Sequence, residues 1–415
     1  MRVIKTANMR IPVFSWCENP EDGAIAQAEN LAKLPFVFKH VALMPDTHQG
    51  YGMPIGGVIA CKGVVIPNAV GVDIGCGMLA IKTDLTEIST ERLKDILTLI
   101  RKKIPVGFNS HSKAQELELM PVGEFGMLIC QQEYNKALRQ LGTLGGGNHF
   151  IEIQKGSDGC IWFMVHSGSR HLGYTVAKNY NNLAQSMCKK WHSNIPPFKG
   201  EDGLAFLPID SDDGRKYIRE MQFCLEYAQA NRELMAERIK EAFIQDPCVT
   251  CKGDGGFKGK KCAHCGGYGY FKTEKKVKFE NAINIHHNYA AIENHFGQNL
   301  WVHRKGATSA REGQFGIVPG SQGTCSYIVS GKGNEKSFMS CSHGAGRKMS
   351  RTKAIKELDL KKEQEKLRGI IHSVRGSSNL DEASGAYKDI NIVMNEQKDL
   401  IDIVVELKPL AVIKG

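Results

Sequence analysis

The stretch FVFKHVALMPDTHQGYGMPIGGVIACKGVVIPNAVGVDIGCG, residues 36–77, carries the strongest indications of the fold. Its segments 36–44 and 56–67 are rich in β-branched and aromatic residues and are punctuated by glycine and proline, which predicts two buried strands. The polar stretches PDTHQGYG (45–52) and GVDIGCG (71–77) follow these segments. We therefore expect a sheet whose strand and loop ends present polar side chains.

Further elements are predicted on the C-terminal side of this stretch: helices at 91–103, 214–244, 350–374 and 389–405, and strands at 161–166, 299–303 and 325–330. The elements do not follow a regular βαβ alternation. This order favours an α+β fold with mixed sheets over a doubly wound one. Residues 247–272 are rich in glycine and lysine and nearly free of aliphatic residues, which indicates an inserted module.

Composition indicates a basic globular protein. The chain has 415 residues, of which 42% are hydrophobic, and a formal net charge of +10, which favours polyanionic partners such as nucleic acid. We see no signal peptide and no apolar run long enough to span a membrane. The 13 cysteines are an odd count and are mostly scattered, which fits a reducing compartment. We therefore expect a cytoplasmic location and no membrane partner.

Histidine, cysteine and aspartate recur in short stretches that are flanked by glycine. Besides the two stretches above, these are GGGNHF (145–150), HSGSR (166–170), HHNY (286–289) and SHGAGR (342–347). Asp73 and Cys76 lie three residues apart in a turn, so that a carboxylate and a thiolate can reach one ion. Imidazole, thiolate and carboxylate together suit a transition metal. The residues alone indicate a metal site, which could be binuclear, although each histidine or cysteine by itself is more often structural.

Two runs of small residues, VPGSQGTCS (318–326) and SHGAGR, could form backbone N–H nests for a phosphate, with Arg347 and Lys348 adding positive charge. A plain turn is the alternative for each run. The chain has no Walker-type motif and no dinucleotide-binding glycine fingerprint, so a nucleotide would be bound in another way.

Taken together, these stretches resemble the motif set of the RtcB family of RNA ligases. The motifs PDTHQGYGMPIGG, AVGVDIGCGM, GTLGGGNHFIEI, HSGSR, HHNY, RKGATSAREGQFGIVPGSQG, SCSHGAGRKMSR and AYKD occur in the family's order. The resemblance covers most of 30–415. It implies that 1–246 and 273–415 form one catalytic domain around a central metal cleft, with the insert at 247–272.

The resemblance also implies the site residues. Two Mn²⁺ ions would share Cys76, one bound with Asp73 and His149 and the other with His166 and His287. His343 would be the nucleophile that GTP guanylylates, and Asp46 and Arg170 would handle the 5′-hydroxyl end and the RNA backbone. The implied contacts to the guanine nucleotide are Asn148, His149, Phe150, Ile151, Glu152, His287, Asn288, Pro319, Gly320, Ser321, Gln322, Ser326, His343, Gly344, Ala345, Gly346, Tyr387 and Lys414.

The implied activity is a GTP- and Mn²⁺-dependent ligation of an RNA 2′,3′-cyclic phosphate or 3′-phosphate end to a 5′-hydroxyl end, in RNA repair or tRNA splicing. A monomer, with a possible helper protein for turnover, is the family expectation. Two rivals remain at this point. One is a binuclear metal phosphodiesterase or phosphatase acting on RNA 3′ ends, and the other is a non-catalytic RNA-binding or chaperone-like protein.

The insert has the pattern CxxC, ten residues, CxxC, at Cys248, Cys251, Cys262 and Cys265. This spacing predicts a structural zinc site, and both halves resemble the CxxCxGxG zinc repeats of DnaJ-type chaperones. Redox dithiol chemistry is the alternative. The lysines and aromatic residues of the insert suggest that it grips RNA, and protein docking or a purely structural role is the competing hypothesis.

Overall fold

The computed structural model describes residues 1–123, 126–194, 203–251, 253, 255–257, 260–272 and 276–415. Its strands are β1 (Arg2–Ile4), β2 (Val13–Ser15), β3 (Val37–His48), β4 (Ile55–Cys61), β5 (Val64–Val65), β6 (Gly77–Lys82), β7 (Phe150–Gly156), β8 (Ile161–Ser167), β9 (Leu207–Pro208), β10 (Gln245–Pro247), β11 (Gly256–Phe257), β12 (Lys260–Lys261), β13 (Tyr270–Lys272), β14 (Ile283–His286), β15 (Asn288–His295), β16 (Gln298–Lys305), β17 (Ala307–Ser309), β18 (Phe315–Val318), β19 (Ser326–Gly331), β20 (Ser340–Ser342) and β21 (Ile401–Lys414). Its α-helices are α1 (Asp22–Lys33), α2 (Pro67–Val70), α3 (Thr90–Lys103), α4 (Leu128–Gln140), α5 (Arg170–Lys190), α6 (Asp212–Phe243), α7 (Arg351–Glu357), α8 (Leu360–Lys366) and α9 (Ile390–Glu396).

Two large sheets form the framework. A seven-stranded antiparallel sheet has the order β14-β6-β8-β7-β21-β19-β18, and a six-stranded sheet has the order β1-β2-β3-β4-β16-β15 with one parallel pair, β2 with β3. The chain passes from one sheet to the other at His287, between β14 and β15. Sequence position 287 therefore lies where the edges of the two sheets meet.

Helices α3 and α6 cover one face of the seven-stranded sheet. Met235 and Ile239 of α6 and Ile96 of α3 are buried against β6 and β8 in one apolar cluster. Helix α6 starts at the Ser211 cap, whose hydroxyl accepts a hydrogen bond from the Gly214 N–H. Its length brings polar residues from the same helix to the loops at the sheet edge, where the candidate site lies.

The α+β class is confirmed, and most predicted elements lie close to their predicted positions. Two helix predictions are wrong in part. The predicted helix at 389–405 ends at Glu396, and residues from Ile401 onward form β21, because alternating β-branched residues pair between β19 and β7. The predicted helix at 350–374 is broken at Leu358 and Asp359 into α7 and α8 and ends at Lys366.

The insert begins and ends on paired strands. Gln245 pairs with Lys272 and Pro247 with Tyr270, so β10 and β13 close the segment at its base. Two of the insert's lysines, Lys252 and Lys258, lie outside the described residues. In the described part of the chain, no helix combines the length and the apolar character that a membrane span requires.

Candidate active site

The candidate metal donors lie at one edge of the seven-stranded sheet. Cys76 directly precedes β6 and His149 directly precedes β7, whereas His166 lies near the end of β8 and His287 follows β14. In the antiparallel order β14-β6-β8-β7, these starts and ends fall at the same edge. The register pairs His166 with Met78, two residues after Cys76, and with Phe150, the residue after His149. Residues far apart in the chain therefore meet because of strand pairing.

The donor atoms lie at ligand spacing. Cys76 Sγ lies 3.4 Å from His149 Nε2 and 3.3 Å from His166 Nε2. His166 Nε2 lies 3.4 Å from His287 Nε2, and Asp73 Oδ2 lies 3.3 Å from His149 Nε2. Two groups of three result, Asp73–Cys76–His149 and Cys76–His166–His287, which share the thiol. The structure thus brings together both ligand sets that the sequence predicted.

Backbone carbonyl groups orient two of the imidazoles. His149 Nδ1 donates to the Leu144 carbonyl at 3.0 Å and His166 Nδ1 donates to the Asn148 carbonyl at 3.1 Å. The proton is then on Nδ1, so the Nε2 lone pair of each ring faces Cys76. This arrangement is typical of metal-binding histidines.

Burial makes the group suited to a cation. It raises the pKa of Cys76 well above its ordinary value, with the nearby Asp73 raising it further, and it lowers the pKa of both His166 and His287. A transition-metal cation binds neutral imidazoles directly. It also stabilises the thiolate form of a cysteine whose thiol would otherwise stay protonated. The residues present therefore fit a metal centre.

Two residues of α6 hold the loops of this edge. The buried Arg232 guanidinium donates to the carbonyls of Gly75 and Ser167, both at 3.0 Å. Asn231 Oδ1 accepts from Gly142 N at 2.7 Å and from Thr143 N at 3.2 Å. The sequence analysis missed both residues. Their signal was a pair of adjacent polar residues, Asn231 and Arg232, within the mostly apolar spacing of the predicted helix.

His343 lies next to this group and is held by Asp46. His343 Nδ1 donates to Asp46 Oδ2 at 2.6 Å, and the His343 backbone N–H donates to the same oxygen at 3.1 Å. Asp46 is fully buried. The ring of His343 lies 4.8 Å from the ring of His287, measured between centroids. Since Nδ1 carries the proton, Nε2 is the free nitrogen of His343.

A cavity of about 270 Å³ opens at His343. Most of the residues predicted to contact a nucleotide line it, namely Asn148, Phe150, Glu152, Pro319, Gly320, Ser321, Gln322, His343, Gly344, Ala345, Gly346, Tyr387 and Lys414. Burial raises the pKa of Glu152 to about 8 and lowers the pKa of Lys414. The cavity thus combines small-residue loops, an aromatic ring and a buried acid and base.

Glu382 was missed by the sequence analysis and organises the far wall of this cavity. Its carboxylate accepts from the Tyr387 hydroxyl and forms ion pairs with Lys414 at 3.4 Å, Arg347 at 3.1 Å and Arg351 at 3.0 Å. Burial alone would raise the pKa of Glu382, but Lys414, Tyr387 and the arginines hold it below its ordinary value. No motif marked this residue, because its role depends on side chains that only the fold brings around it.

Five predicted nucleotide contacts do not line this cavity. His149 and His287 belong to the donor groups, and Asn288 supports the neighbouring loop by donating to the Asp73 carbonyl at 3.1 Å. Ile151 is buried in the helix-facing core. Ser326 acts from behind, because its hydroxyl accepts from the Gly320 N–H at 3.1 Å.

Arg170 also lies away from the nucleotide cavity. Its side chain donates to the Thr143 hydroxyl and to the Gly107 carbonyl, each at 3.2 Å, below the 145–149 loop. A Cβ on Gly145 would lie 2.1 Å from the guanidinium, so the glycine is required for this packing. The geometry gives Arg170 contacts to the loop that carries His149.

Known proteins with similar sequences identify the family. The family described as "tRNA-splicing ligase RtcB" matches residues 27–125, 126–252 and 268–415. The RNA-splicing ligase RtcB of Escherichia coli strain K12 is 37% identical, over 97% of this chain and 97% of its own length. The chain belongs to the RtcB family. It is accordingly an enzyme of the RNA ligase class, and the rival of a non-catalytic binding protein is excluded.

Archaeal members of the RtcB family are similar over the same length. The tRNA-splicing ligase RtcB of Methanococcus maripaludis is 32% identical over 96% of this chain and 92% of its own length. That of Nanoarchaeum equitans is 31% identical over 99% of this chain and 97% of its own length.

The RtcB family match leaves residues 253–267 uncovered, and four cysteines converge on this segment. Cys248 Sγ lies 3.9 Å from Cys262 Sγ, and Cys251 Sγ lies 3.6 Å from Cys265 Sγ. The backbone N–H groups of Gly255 and Gly269 donate to two of these sulfurs, at 3.2 and 3.1 Å. Ligands about 2.3 Å from one tetrahedral zinc lie about 3.8 Å apart, so the spacing fits a single ion.

Proposed function

We propose that this RtcB family member joins RNA 3′-phosphate or 2′,3′-cyclic phosphate ends to 5′-hydroxyl ends with GTP and Mn²⁺, through a guanylylated His343. The observation that carries the proposal is the His343–Asp46 pair, which lies between the shared-thiol donor group and the 270 Å³ cavity. The proposed nucleophile, the side chains that could bind metal and a cavity lined by loops of small residues therefore meet at one point.

In the first step, His343 Nε2 attacks the α-phosphorus of GTP. An N–P bond forms and the bond from phosphorus to the pyrophosphate oxygen breaks. Asp46 is a positioning residue here, since its carboxylate holds the Nδ1 proton and stabilises the positive charge that develops on the ring. The contact through the backbone N–H of His343 fixes the ring in place.

Asp73, Cys76, His149, His166 and His287 would hold two Mn²⁺ ions, which supply charge stabilisation at the phosphoryl oxygens when bound. Backbone carbonyls set the direction of two imidazoles, and Arg232 holds the Gly75 and Ser167 carbonyls. These contacts keep the donor atoms in place before any ligand arrives.

The nucleotide would occupy the cavity with its base against the buried groups. Glu152 is paired by charge with Lys414, and Tyr387 offers an aromatic face. A carboxylate can accept the two adjacent N–H groups of a guanine edge, which an adenine edge does not offer. The loop 319–322 and the loop 343–346 would contact the phosphates.

Three further steps complete the reaction. Water opens a cyclic phosphate at its 2′ oxygen and leaves a 3′-phosphate. An oxygen of that phosphate attacks the phosphorus bound to His343, so the N–P bond breaks and the RNA end carries GMP. The 5′-hydroxyl oxygen then attacks the RNA phosphorus, its proton passes to solvent, and GMP leaves. RNA repair or tRNA splicing would use this joining step.

The four-cysteine segment would hold a structural Zn²⁺. Four sulfurs at tetrahedral spacing leave no ligand position for a substrate, and the amide donors from Gly255 and Gly269 stabilise thiolates. The metal would contribute the folding energy that so short a segment lacks.

Partners and location remain hypotheses of the same standing. These are a contact of the four-cysteine segment with RNA or protein, a helper protein for turnover, and the monomeric state. None of the 13 cysteines, all of them among the described residues, forms a disulfide, which supports a cytoplasmic location.

The alternative is a binuclear metal phosphodiesterase that stops after hydrolysis, which needs no guanylyl carrier. Incubation with α-³²P-GTP and Mn²⁺, followed by denaturing electrophoresis, separates the two. We expect a labelled protein that is lost in His343→Ala but kept in His372→Ala, a partly buried histidine in none of the groups above. No label in the wild type, or a label that survives His343→Ala, would contradict the guanylyl-histidine mechanism.

A further inference from the structure

Another cavity, of about 330 Å³, adjoins the cleft that contains the donor group. None of its lining residues lines the nucleotide cavity. Its walls come from the loop before β4, from α2 and the turn after it, and from the first half of α5, and they consist of Tyr51, Pro67, Asn68, Gly71, Val72, Tyr174, Ala177, Lys178 and Asn181.

Three of these side chains are large, apolar and open to solvent. Tyr51 is 56% exposed, Val72 is 47% exposed and Tyr174 is 44% exposed. Exposed apolar groups that cluster around a cleft mark a binding surface more often than isolated ones do. Lys178 follows Tyr174 by one helical turn, and its Nζ lies 5.9 Å from the Tyr174 ring centroid. Aromatic faces with an adjacent cation are the combination that binds single-stranded nucleic acid.

The cavity is continuous with the reaction site. Tyr51, Asn68, Gly71 and Val72 also line a larger cleft of about 660 Å³, whose other walls include Asp73, Cys76, His287 and His343. The Lys305 ammonium donates to the Tyr51 and Asn68 carbonyls and ties the two walls together at this junction. A chain with its end at His343 would therefore leave the cleft over Gly71 and Val72.

Asn181 provides a polar contact on the α5 wall. Its side-chain oxygen is buried and has no hydrogen-bond partner among the described residues. Once the Asn181 side chain turns toward the cavity, this oxygen can accept a hydrogen bond from a base N–H group. The backbone of the opposite wall approaches closely at Gly71, whose φ of +97° favours glycine.

We propose that this cavity is a stacking subsite for the nucleobases of the RNA strand whose end lies at His343. Tyr51 and Tyr174 contact the base faces, and Lys178 contacts a backbone phosphate. The inference rests on the RNA-end chemistry proposed above and adds the path of the strand. Because every base has an aromatic face, the subsite selects single-stranded ends without selecting a sequence.

The test uses a fluorescein-labelled single-stranded RNA with a 5′-hydroxyl and a 3′-phosphate, titrated in the absence of GTP. We expect Tyr174→Ala to weaken binding about tenfold and Tyr51→Ala with Tyr174→Ala to weaken it up to about a hundredfold. The Tyr→Phe variants should remain within about twofold. Trp191→Ala is the matched control, because Trp191 is an exposed aromatic residue directly after the end of α5, about 26 Å from Tyr174.

Substrates with abasic sites next to either end then locate the contact. The wild type should lose affinity for one of these substrates, and the double alanine variant should bind intact and abasic RNA equally. Self-guanylylation by GTP should be unchanged in every variant, so a failure of guanylylation counts against the proposed mechanism alone. Unchanged RNA affinity in the double variant would overturn the subsite. So would substitutions that weaken the binding of abasic RNA as much as the binding of intact RNA. If the wild type bound the RNA only in the presence of another protein from the same cell, the subsite would also be overturned and a protein-docking surface favoured.

Discussion

Two groups of cysteine-containing donors lie in the described part of the chain, and they differ in composition and in access. The group at the sheet edge mixes one thiol with three imidazoles and a carboxylate, and Asp73, Cys76 and His287 line an open cleft. The group of the insert has four thiols and no other donor. Mixed donors beside a cavity leave room for a substrate, whereas four sulfurs complete a tetrahedron. In the proposed function, the first group would act on phosphate and the second would only stabilise the fold of the insert.

The largest expected effect comes from replacing Cys76, the residue that both sets of three donors share. Cys76→Ala removes a donor from both sets of three, so RNA end-joining with GTP and Mn²⁺ should fall by on the order of 10³-fold or more, since several kcal/mol of charge stabilisation is lost. Metal content measured by mass spectrometry should fall with it. Cys61→Ala, another buried thiol in none of the groups, should keep both. Full activity and metal content in Cys76→Ala would show that the two sets do not act through this thiol.

A smaller effect is expected where the first group meets its nucleophile. Asp46→Asn preserves the shape of the side chain but no longer holds the His343 Nδ1 proton as a carboxylate does, so kcat for self-guanylylation should fall by roughly 10²- to 10³-fold. The apparent KM for GTP should change little, because Asp46 does not line the nucleotide cavity. A loss confined to KM would instead make Asp46 a binding residue.

A third prediction concerns pH and the acid of the nucleotide cavity. Burial raises the pKa of Glu152 to about 8, against Lys414 and a hydrogen bond from Gln154, which both lower it. If guanine binds the carboxylate form, GTP affinity should rise with pH by up to about tenfold per unit below pH 8 and then level off. Glu152→Gln should bind GTP more weakly and with a flat profile. Isothermal titration of GTP between pH 6 and 8.5 measures both, and a wild-type profile that is flat or falls with pH would contradict the assignment.

The sequence predicted much of this arrangement because local chemistry marks it. Glycine-flanked histidines and GVDIGCG indicated a metal site from the residues alone, and the resemblance to the RtcB family implied the individual donors. CxxC spacing fixes one half of a tetrahedral site at a time. Periodicity failed at 401–405, because a short apolar run fits a helix as well as a strand until its partners are known. For residues 401–405 that partner is β19, whereas β7 pairs with the later part of β21, from Leu407 onward. Arg232 and Glu382 were missed for the same reason, since their roles depend on contacts made only in the folded chain.

The smallest effect on catalysis is expected from the second group, and it tests the comparison most directly. Cys265→Ser removes one sulfur from the insert, so one equivalent of zinc should be lost and residues near 248–272 should become sensitive to trypsin. End-joining of short RNA by the folded protein should stay within about twofold, because none of the four cysteines lines the cavities at His343. Cys160→Ser, a partly buried thiol in neither donor group, controls for loss of a thiol. A fall in end-joining comparable to that of Cys76→Ala would mean that the insert supports the reaction centre. The two groups could then no longer be divided into one catalytic and one structural group.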